Sequence, residues 1–389
     1  MKKIVIAPDS FKGSLTSFEA VEAISKGIQD IEPNVKLVNF PMSDGGEGFL
    51  QCLHLYDRTF VQVDVPVKNL YGKKTVSPIL WNEAQKIACI ESARILGLNL
   101  VKEEDRDPMN ASSQGIGELI LHCKDLGAEK IIIALGGTGT IDGGIGCLAA
   151  LGVQFFDALN NKLPPLPASL GKIDSVSFKY VKSDLLRLNL VLAADVTAVL
   201  LGSNGAVKGY GPQKGLKSDE IPQLEVGMNH FANHLNAVSG KGIHLIEGTG
   251  AAGGLGYSLA ACFQATFISG TSLLFKYSQI STAIKEADLV ITGEGTFDDQ
   301  TIQGKLPWKI IQLSNQFNVP VWVFAGTVVE VDRPQDALKK ANVYSIRTKH
   351  MTKQESMYQA PDLLRQKVAI QLKKNPSLRV NGWKENTEG

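Results

Sequence analysis

The stretch from residue 131 to residue 146 constrains the fold more than any other, because an apolar run passes directly into a glycine-rich segment. Residues 131–135 are all apolar and three of them are isoleucine, which is typical of a strand covered on both faces of an α/β sheet. Six glycines follow in residues 136–146, and glycine lets the backbone turn sharply and bring N–H groups to a ligand. A tight turn is the alternative, but a turn needs only one or two glycines. The stretch therefore predicts a buried strand that leads into a ligand-binding loop.

Several residues of this loop are candidate ligand contacts. Loops that follow the strands of an open α/β sheet bind ligands, and N–H groups at the start of the next helix favour anions. The loop contains a single charged residue, an aspartate. We therefore expect contacts to a phosphate or substrate from Gly136, Gly137, Thr138, Asp142 and Gly143.

The composition of the chain excludes several classes of protein. Its 389 residues exceed what one core usually supports, so two domains are expected. Forty basic and 39 acidic side chains leave a net charge of +1, which supplies no basic field for nucleic acid or an anionic membrane. Asp9 interrupts the first apolar run too early for a signal peptide. Five widely spaced cysteines without a Cys-x-x-Cys pair are typical of reduced thiols, so we expect a cytoplasmic protein.

The N-terminal segment has the same order of strand, polar loop and helix. Residues 3–7 predict a short strand, and a capping-box sequence that begins at Thr16 predicts a helix. Asp9, Ser10 and Lys12 lie between them. An aspartate in this place can hold a cation or accept a proton, and a lysine can contact a phosphate or a carboxylate. Simple helix capping is the alternative.

A second strand, over residues 35–40, leads into residues 41–48, which carry carboxylates at Asp44 and Glu47. An ordinary turn is the alternative for these glycines. Residues 60–78 then alternate apolar and polar side chains around a hairpin-like turn. The spacing of apolar residues thus changes from that of the preceding strand–helix segments, and this change predicts a domain boundary near residue 65.

Two further candidates follow an apolar run in the middle of the chain. Residues 190–194 predict a strand that leads directly to Asp195, an aspartate that is hard to explain as a solvated surface charge. Lys214 lies between a glutamine and a glycine and is a candidate anion contact. His230 and His234 lie one helical turn apart, but no third ligand stands nearby, so zinc is not predicted.

Residues 248–256 satisfy the letters of a dinucleotide-binding fingerprint. The fingerprint also requires an acidic residue about 20 positions later to hold the ribose, and residues 267–275 contain none. This argues against a nicotinamide cofactor. Gly250 and Gly253 are therefore interpreted as contacts to another anionic ligand.

The last glycine-rich segment follows a predicted strand over residues 288–292 and carries Glu294, Asp298 and Lys305. A Walker loop is excluded, because Leu306 replaces the serine or threonine after the lysine. Residues 319–324 predict a final strand and residues 357–372 a closing helix. The tail, residues 376–389, is predicted to be frayed.

This inventory favours transfer of a phosphoryl group to a small anionic alcohol. Cations and N–H groups neutralise phosphates, carboxylates hold Mg²⁺, and one carboxylate orients or deprotonates the hydroxyl. A carboxylate is ionised at neutral pH and can act as that base. The spacing does not decide which carboxylate has which role.

Six motifs in order resemble the bacterial type I glycerate kinases, and the resemblance spans roughly residues 1–372. They are residues 7–15, 41–48, 134–137 with 142–144, 211–215, 248–256, and 291–295 with 298, 300–301 and 304–305. The resemblance implies ATP- and Mg²⁺-dependent phosphorylation of D-glycerate, usually to 2-phosphoglycerate. It also implies a two-domain α/β fold in which both chain ends form a Rossmann-like parallel sheet and a mixed α/β domain is inserted. We expect residues 1–65 with 285–375 and residues 66–284 as the two domains.

The resemblance and the residue pattern together give a set of site residues. Asp195, Lys12 and Asp9 are the predicted catalytic residues, and Asp44, Asp195 and Asp298 are the predicted metal ligands. Ser10, Lys214, Glu294 and Lys305 join the loop residues as predicted binding residues. The chain departs from the family at Ile141, where asparagine is usual, and at Ala198 with Val199, where the pair Asn-Pro is usual, and each departure removes an amide side chain. These departures leave open a different substrate or a sensor that binds without turnover.

Overall fold

The computed structural model describes residues 2–195, 197–240, 242–329, 340–348 and 350–375. The strands formed by these residues are β1 Lys3–Ile6, β2 Lys36–Asn39, β3 Val61–Lys68, β4 Lys74–Asn82, β5 Ile87–Glu91, β6 Lys130–Ala134, β7 Gln154–Phe156, β8 Ser175–Ser177, β9 Asn189–Ala193, β10 Thr266–Ile268, β11 Leu289–Phe297, β12 Val321–Val328 and β13 Ala341–Ser345.

The α-helices within the same ranges are α1 Ser17–Gln29, α2 Phe49–Tyr56, α3 Ala93–Leu96, α4 Gln114–Asp125, α5 Ile145–Ala150, α6 Ile221–Ser239, α7 Leu255–Phe263, α8 Gly270–Ser278, α9 Ile280–Lys285, α10 Asp299–Ile302, α11 Leu306–Gln316, α12 Lys353–Tyr358 and α13 Ala360–Lys374. None of these helices is long and apolar enough to cross a membrane.

The chain divides into two compact units, and the first comprises Met1–Asp44 and Leu274–Gly389. Its sheet has the order β13-β12-β11-β1-β2, and every neighbouring pair is parallel. Helices α1 and α13 pack together, and a Cβ at Gly27 would lie 2.4 Å from the carbonyl oxygen of Arg365. This close approach explains a glycine inside α1, where it otherwise weakens a helix. The predicted parallel sheet formed by both chain ends is confirmed.

The second unit, Gly45–Leu273, contains a six-stranded mixed sheet in the order β10-β9-β6-β5-β4-β3. The strands from β10 to β5 are parallel, and β4 and β3 form the predicted antiparallel hairpin. The isoleucines of β6 are at most 1% exposed, so the predicted strand covered on both faces is confirmed. A hydrophobic core between this sheet and helices α4 to α7 fixes the register of β6.

The unit boundaries differ from the predicted domain boundaries near residues 65 and 285. The chain enters the second unit after Asp44, because α2 packs against β4 and β5 and β3 pairs with β4. It returns within α8, and α9 packs against α11 of the first unit. The hydrophobic alternation that marked residue 65 begins inside the second unit. The division into independently folding domains stays a prediction.

Some local predictions were incomplete. The strand predicted over residues 288–292 continues to Phe297, and the closing helix is divided into α12 and α13. Strands β10 and β13 were not predicted, since each is short and partly exposed. The capping box at Thr16 and Glu19 is present as predicted. The tail predicted to be frayed lies outside the described residues.

Candidate active site

In the first unit, the strand order creates a crevice at the carboxyl ends of β1 and β11. The chain continues from β1 to β2 in one direction and from β11 to β12 in the other. Ligands bind at such switch points, because the loops of the two strands diverge there. Asp9 follows β1 and Glu294 lies near the end of β11. Both predicted site residues therefore flank the switch point.

Asp9, Lys12 and Asp44 form the charged centre of this crevice. The Lys12 Nζ lies 3.5 Å from Asp44 Oδ2, and the backbone N–H of Ser10 donates to Asp9 Oδ1 at 2.7 Å. Burial, and then the charge of Asp44, raise the pKa of Asp9. The charge of Asp44 raises the pKa of Lys12, which remains cationic. The group brings two carboxyl groups and one ammonium into the same small region.

Glu294 lies in the same crevice but inside a strand. It was predicted to lie in a loop; the strand continues because Gly293 and Gly295 allow close packing. A Cβ at Gly293 would lie 2.3 Å from the carbonyl oxygen of Phe324, and one at Gly295 would lie 3.2 Å from the amide nitrogen of Lys12. The Thr301 hydroxyl donates to Glu294 Oε1 at 2.6 Å. Burial raises the pKa of Glu294 to about 7.

Asp298 and Lys305 occupy the helix starts that follow β11. Asp298 is the N-cap of α10 and forms a capping box with Thr301. Its Oδ1 also lies 3.9 Å from Lys305 Nζ, and Lys305 is the N-cap residue of α11. Asp298 was predicted as a metal ligand, and this geometry favours capping, the ordinary role of an aspartate at a helix start.

In the second unit, the glycine-rich loop of residues 136–146, called the central loop, uses many of its N–H groups internally. Gly136 donates to the Gly45 carbonyl oxygen at 2.9 Å, and Gly143 donates to the Gly253 carbonyl oxygen at 3.0 Å. The N–H groups of Gly137 and Thr138 have no acceptor among the described residues. These two predicted ligand contacts therefore have N–H groups that can still donate to a ligand.

Asp142 supports this loop from inside the protein. Its side chain is fully buried and accepts from the backbone N–H and hydroxyl of Ser113, both at 2.7 Å, and from the N–H groups of Gly144 and Gly146. Burial raises the pKa of Asp142, and these hydrogen bonds oppose the shift. Full burial and four hydrogen-bond donors favour a role for Asp142 in fixing the conformation of the loop over the predicted direct contact to a ligand.

Lys214 has a similar internal role. The side chain is 5% exposed, and Nζ donates to the Thr140 carbonyl oxygen at 2.9 Å. Burial lowers the pKa of Lys214 to about 8, and Asp142 opposes the shift. This contact anchors the central loop, and it favours a structural role for Lys214 over the predicted anion contact.

Gly250 and Gly253 also act through close packing. The N–H of Gly250 donates to the Ala198 carbonyl oxygen at 2.9 Å, which favours packing over the predicted contact to an anion. A Cβ at Gly253 would lie 2.0 Å from the Thr140 carbonyl oxygen, and φ at Gly253 is +67°. Residues 248–256 thus form the support of the central loop.

Asp195 follows β9 at the same carboxyl edge of the sheet. Its Oδ2 accepts from the backbone N–H of Thr271 at 2.8 Å and from the Thr271 hydroxyl. These bonds hold the carboxylate at the start of α8 and orient one oxygen. The side chain is only partly buried, so the prediction that Asp195 acts on a ligand stays open to test.

Glu91 and Arg94 at the end of β5 were not predicted as site residues. Glu91 is 1% exposed and accepts from the N–H groups of Gly48 and Leu50 at the start of α2. Burial raises the pKa of Glu91, and Arg94 opposes the shift. Glu91 is the last residue of the buried strand β5 and Arg94 lies three residues later, so charged residues at the end of a buried strand, the signal used for Asp195, would have found them.

The two departures from the family pattern lie at internal positions. Ile141 is fully buried in the core of the second unit, and Ala198 is 7% exposed. The carbonyl oxygen of Ala198 accepts from the N–H groups of Gly248 and Gly250. This geometry favours packing over ligand contact at both positions.

The carboxylates of the first unit fit a hard divalent cation. No group of three or more His, Cys, Asp or Glu side chains is arranged to hold a metal ion within the described ranges. Mg²⁺ usually takes only one or two carboxylates, with water and phosphate completing its shell. Burial, and then the charge of Asp44, raise the pKa of Asp9, and a cation bound beside these carboxyl groups would oppose both effects.

Fold and site define an α/β protein with acidic and basic side chains at the carboxyl edges of its parallel strands, the arrangement of a small-molecule phosphotransferase. The sequence model of the glycerate kinase family matches residues 4–373. A glycerate kinase of Halalkalibacterium halodurans is 36% identical over 372 residues, which cover 94% of this chain and 96% of the relative. The glycerate 2-kinase of Escherichia coli K12 is 36% identical over 328 residues, which cover 84% of this chain and 86% of the relative.

A crystal structure from Salmonella typhimurium LT2, described as a candidate glycerate kinase 2, is also similar. It aligns with a TM-score of 0.70 at 32% identity and covers 97% of this chain and 99% of its own. The chain belongs to the glycerate kinase family. The predicted family and fold class are thereby confirmed.

Proposed function

We propose that the protein is a glycerate kinase that transfers the γ-phosphoryl group of ATP to a hydroxyl of D-glycerate, giving ADP and a phosphoglycerate. The 2-phosphoglycerate product is favoured, as the resemblance implies. The observation that carries the proposal is the charged crevice of Asp9, Lys12, Asp44 and Glu294 at a switch point, in a chain that matches the family over almost its whole length. The activity needs cations and carboxylates together, because phosphoryl transfer is stabilised mainly by charge.

Mg²⁺ would be held by Asp44 and Asp9, and bound there it would neutralise charge on the phosphates of ATP. Glu294 would be the third carboxylate of the crevice, and its protonation would reduce the negative charge there. Lys12 would contact a phosphate oxygen as a point charge. Asp298 and Lys305 would keep the following helices in place.

Asp195 would accept the proton of the attacking hydroxyl. Thr271 donates to one of its oxygens and thereby orients the carboxylate, as a general base requires. The N–H groups of Gly137 and Thr138 would contact an oxygen of the bound ligand, since both have this capacity left. Asp142 and Lys214 would act indirectly by holding the loop that presents these groups.

We also propose that the protein acts in the cytoplasm, on a small molecule rather than on nucleic acid or a membrane. The five cysteines are free thiols and four of them are buried, as expected in a reducing compartment. The net charge of +1 supplies no general attraction for polyanions.

The test is a coupled assay of ADP release with D-glycerate, ATP and Mg²⁺, each omitted in turn. Turnover should require all three components. Alanine in place of Asp195 should lower kcat at least about a hundredfold, because a general base contributes that much, while the circular dichroism spectrum stays unchanged. A folded Asp195→Ala variant that keeps more than about a tenth of kcat would remove Asp195 from this role. ADP release without glycerate would contradict the acceptor assignment.

A further inference from the structure

Arg94 lies beside the central loop on the active edge of the second unit. It belongs to α3, which directly follows β5, and β5 is the neighbour of β6 in the sheet. Leu98 donates to the Gly137 carbonyl oxygen at 2.9 Å, and Gly139 donates to the Leu96 carbonyl oxygen at 2.7 Å. These two bonds join the segment that carries Arg94 to the part of the loop with available N–H groups.

The guanidinium of Arg94 is buried at Nε, whereas its two terminal nitrogens are available to a partner. Its Nε is buried and lies 3.3 Å from Glu91 Oε1, without the geometry of a hydrogen bond. Both oxygens of Glu91 already accept backbone N–H groups of α2. The two terminal nitrogens of Arg94 have no acceptor within the described ranges, and the side chain is 35% exposed. Glu91 thus lies beside a guanidinium whose terminal donors are available to a ligand.

The other cations of the candidate site have protein partners. Lys214 is buried and anchors Thr140, Lys12 lies beside Asp44, and Lys305 lies beside Asp298. Arg94 differs because its planar donors match the two oxygens of a carboxylate. Glycerate carries a carboxylate that does not react and must be neutralised. Resting on the proposed function, we infer that Arg94 binds the carboxylate of glycerate.

Sheet geometry makes this placement compatible with Asp195 as the base. Asp195 follows β9, the central loop follows β6 and Arg94 follows β5, and these three strands are consecutive and parallel. Neighbouring strands lie about 4.8 Å apart, so β9 and β5 are separated by about 10 Å. A three-carbon acid lying across the loop would have its carboxylate toward β5 and its hydroxyls toward β9.

The test compares Arg94→Lys and Arg94→Met with wild type in the ADP-release assay. Lysine keeps the charge near Glu91 but loses the fork, so KM for D-glycerate should rise about tenfold; methionine should raise it about a hundredfold. KM for ATP should stay within about twofold in both variants, because the proposed contact is to glycerate alone. Arg187→Met is the matched control, since Arg187 is exposed and precedes the amino end of β9, at the opposite edge of the sheet.

A neutral substrate identifies the group that Arg94 binds. Wild type should prefer D-glycerate to D-glyceramide, and this preference in kcat/KM should fall at least about tenfold in Arg94→Met. An unchanged KM for glycerate in folded Arg94→Met, or an equal rise for ATP, would overturn the inference. If wild type shows no turnover, the proposed function fails. Calorimetric titration of both proteins with D-glycerate then tests the proposed contact of Arg94 separately. Weaker binding by Arg94→Met than by wild type would support the contact, and equal or absent binding in both would overturn it.

Discussion

At the scale of single residues, the buried charges divide into two groups by what surrounds them. Asp142 and Lys214 are enclosed by hydrogen-bond partners of the central loop, so they stabilise its conformation. Burial raises the pKa values of Asp9 and Glu294, and the charge of Asp44 adds to the shift at Asp9, so a proton or a cation would stabilise both carboxyl groups. The sequence identified all four as important. It could not separate the groups, because spacing along the chain does not report which side of a loop a side chain faces.

Glu294 should determine the acid limb of the activity. Its pKa of about 7 means that the carboxylate is protonated below neutrality, so kcat/KM should fall as the pH decreases through about 7. Glu294→Gln should have a lower kcat/KM near pH 8 and should lack this limb. The measurement is the pH profile of both proteins at saturating Mg²⁺. An acid limb that persists unchanged in the variant would belong to ATP or to another side chain and would contradict the assignment.

Lys214 should make the free energy of unfolding depend on pH in the alkaline range. Its pKa is about 8 in the folded protein and 10.5 ordinarily, so between these values the unfolded chain binds more protons and stability rises with pH. Relative to Lys214→Met, wild type should gain about 2 kcal/mol from about pH 7.5 to about pH 9.5. Urea unfolding of both proteins at the two pH values measures the difference. A constant or falling difference would show that the ammonium is not buried as described.

At the scale of secondary-structure elements, glycines allow neighbouring segments to approach one another. Gly253 brings residues 248–256 against the central loop, and Gly293 and Gly295 bring β11 against β12 and the Asp9–Lys12 turn. The sequence analysis interpreted glycines mainly as ligand-binding amides. That interpretation remains possible for Gly137, whereas Gly136, Gly143 and Gly250 donate to protein carbonyls. A glycine pattern indicates close approach but does not tell whether a ligand or another strand approaches.

A pair of alanine substitutions should separate the two costs of replacing glycine. Gly253 and Gly240 both have φ of +67°, but a Cβ at Gly253 would meet the Thr140 carbonyl oxygen at 2.0 Å, and a Cβ at Gly240 would meet nothing within 4 Å. Gly240→Ala should lower stability by about 1 kcal/mol from backbone strain alone. Gly253→Ala should cost at least about 2 kcal/mol more, because the loop must shift. Equal midpoints in urea unfolding would contradict the packing described here.

At the scale of the whole molecule, the α/β class of fold followed from the sequence pattern, and the joint sheet of the two chain ends followed from the resemblance to the glycerate kinases. Apolar runs of three to five residues, each leading into a segment that contains glycine and an acidic residue, identified β1, β6, β9 and β11. The boundaries between the units could not be read from the sequence. Helix α2 packs on the six-stranded sheet and β3 pairs within it, and the other strands of that sheet come later in the chain. Such pairing is a tertiary contact that local periodicity does not encode. We propose that residues 45–273, with a core of their own, form one folding domain.

The central claim concerns the reaction, and its most direct test is phosphorus NMR of the product formed from ATP, Mg²⁺ and D-glycerate. A phosphate on C2 couples to one carbon-bound proton, whereas a phosphate on C3 couples to two. We predict a new phosphorus signal coupled to one proton, together with ADP. A signal coupled to two protons would contradict the 2-phosphoglycerate assignment alone. The absence of any phosphorylated glycerate, in protein that is folded and binds ATP, would contradict the account of this chain as a glycerate kinase.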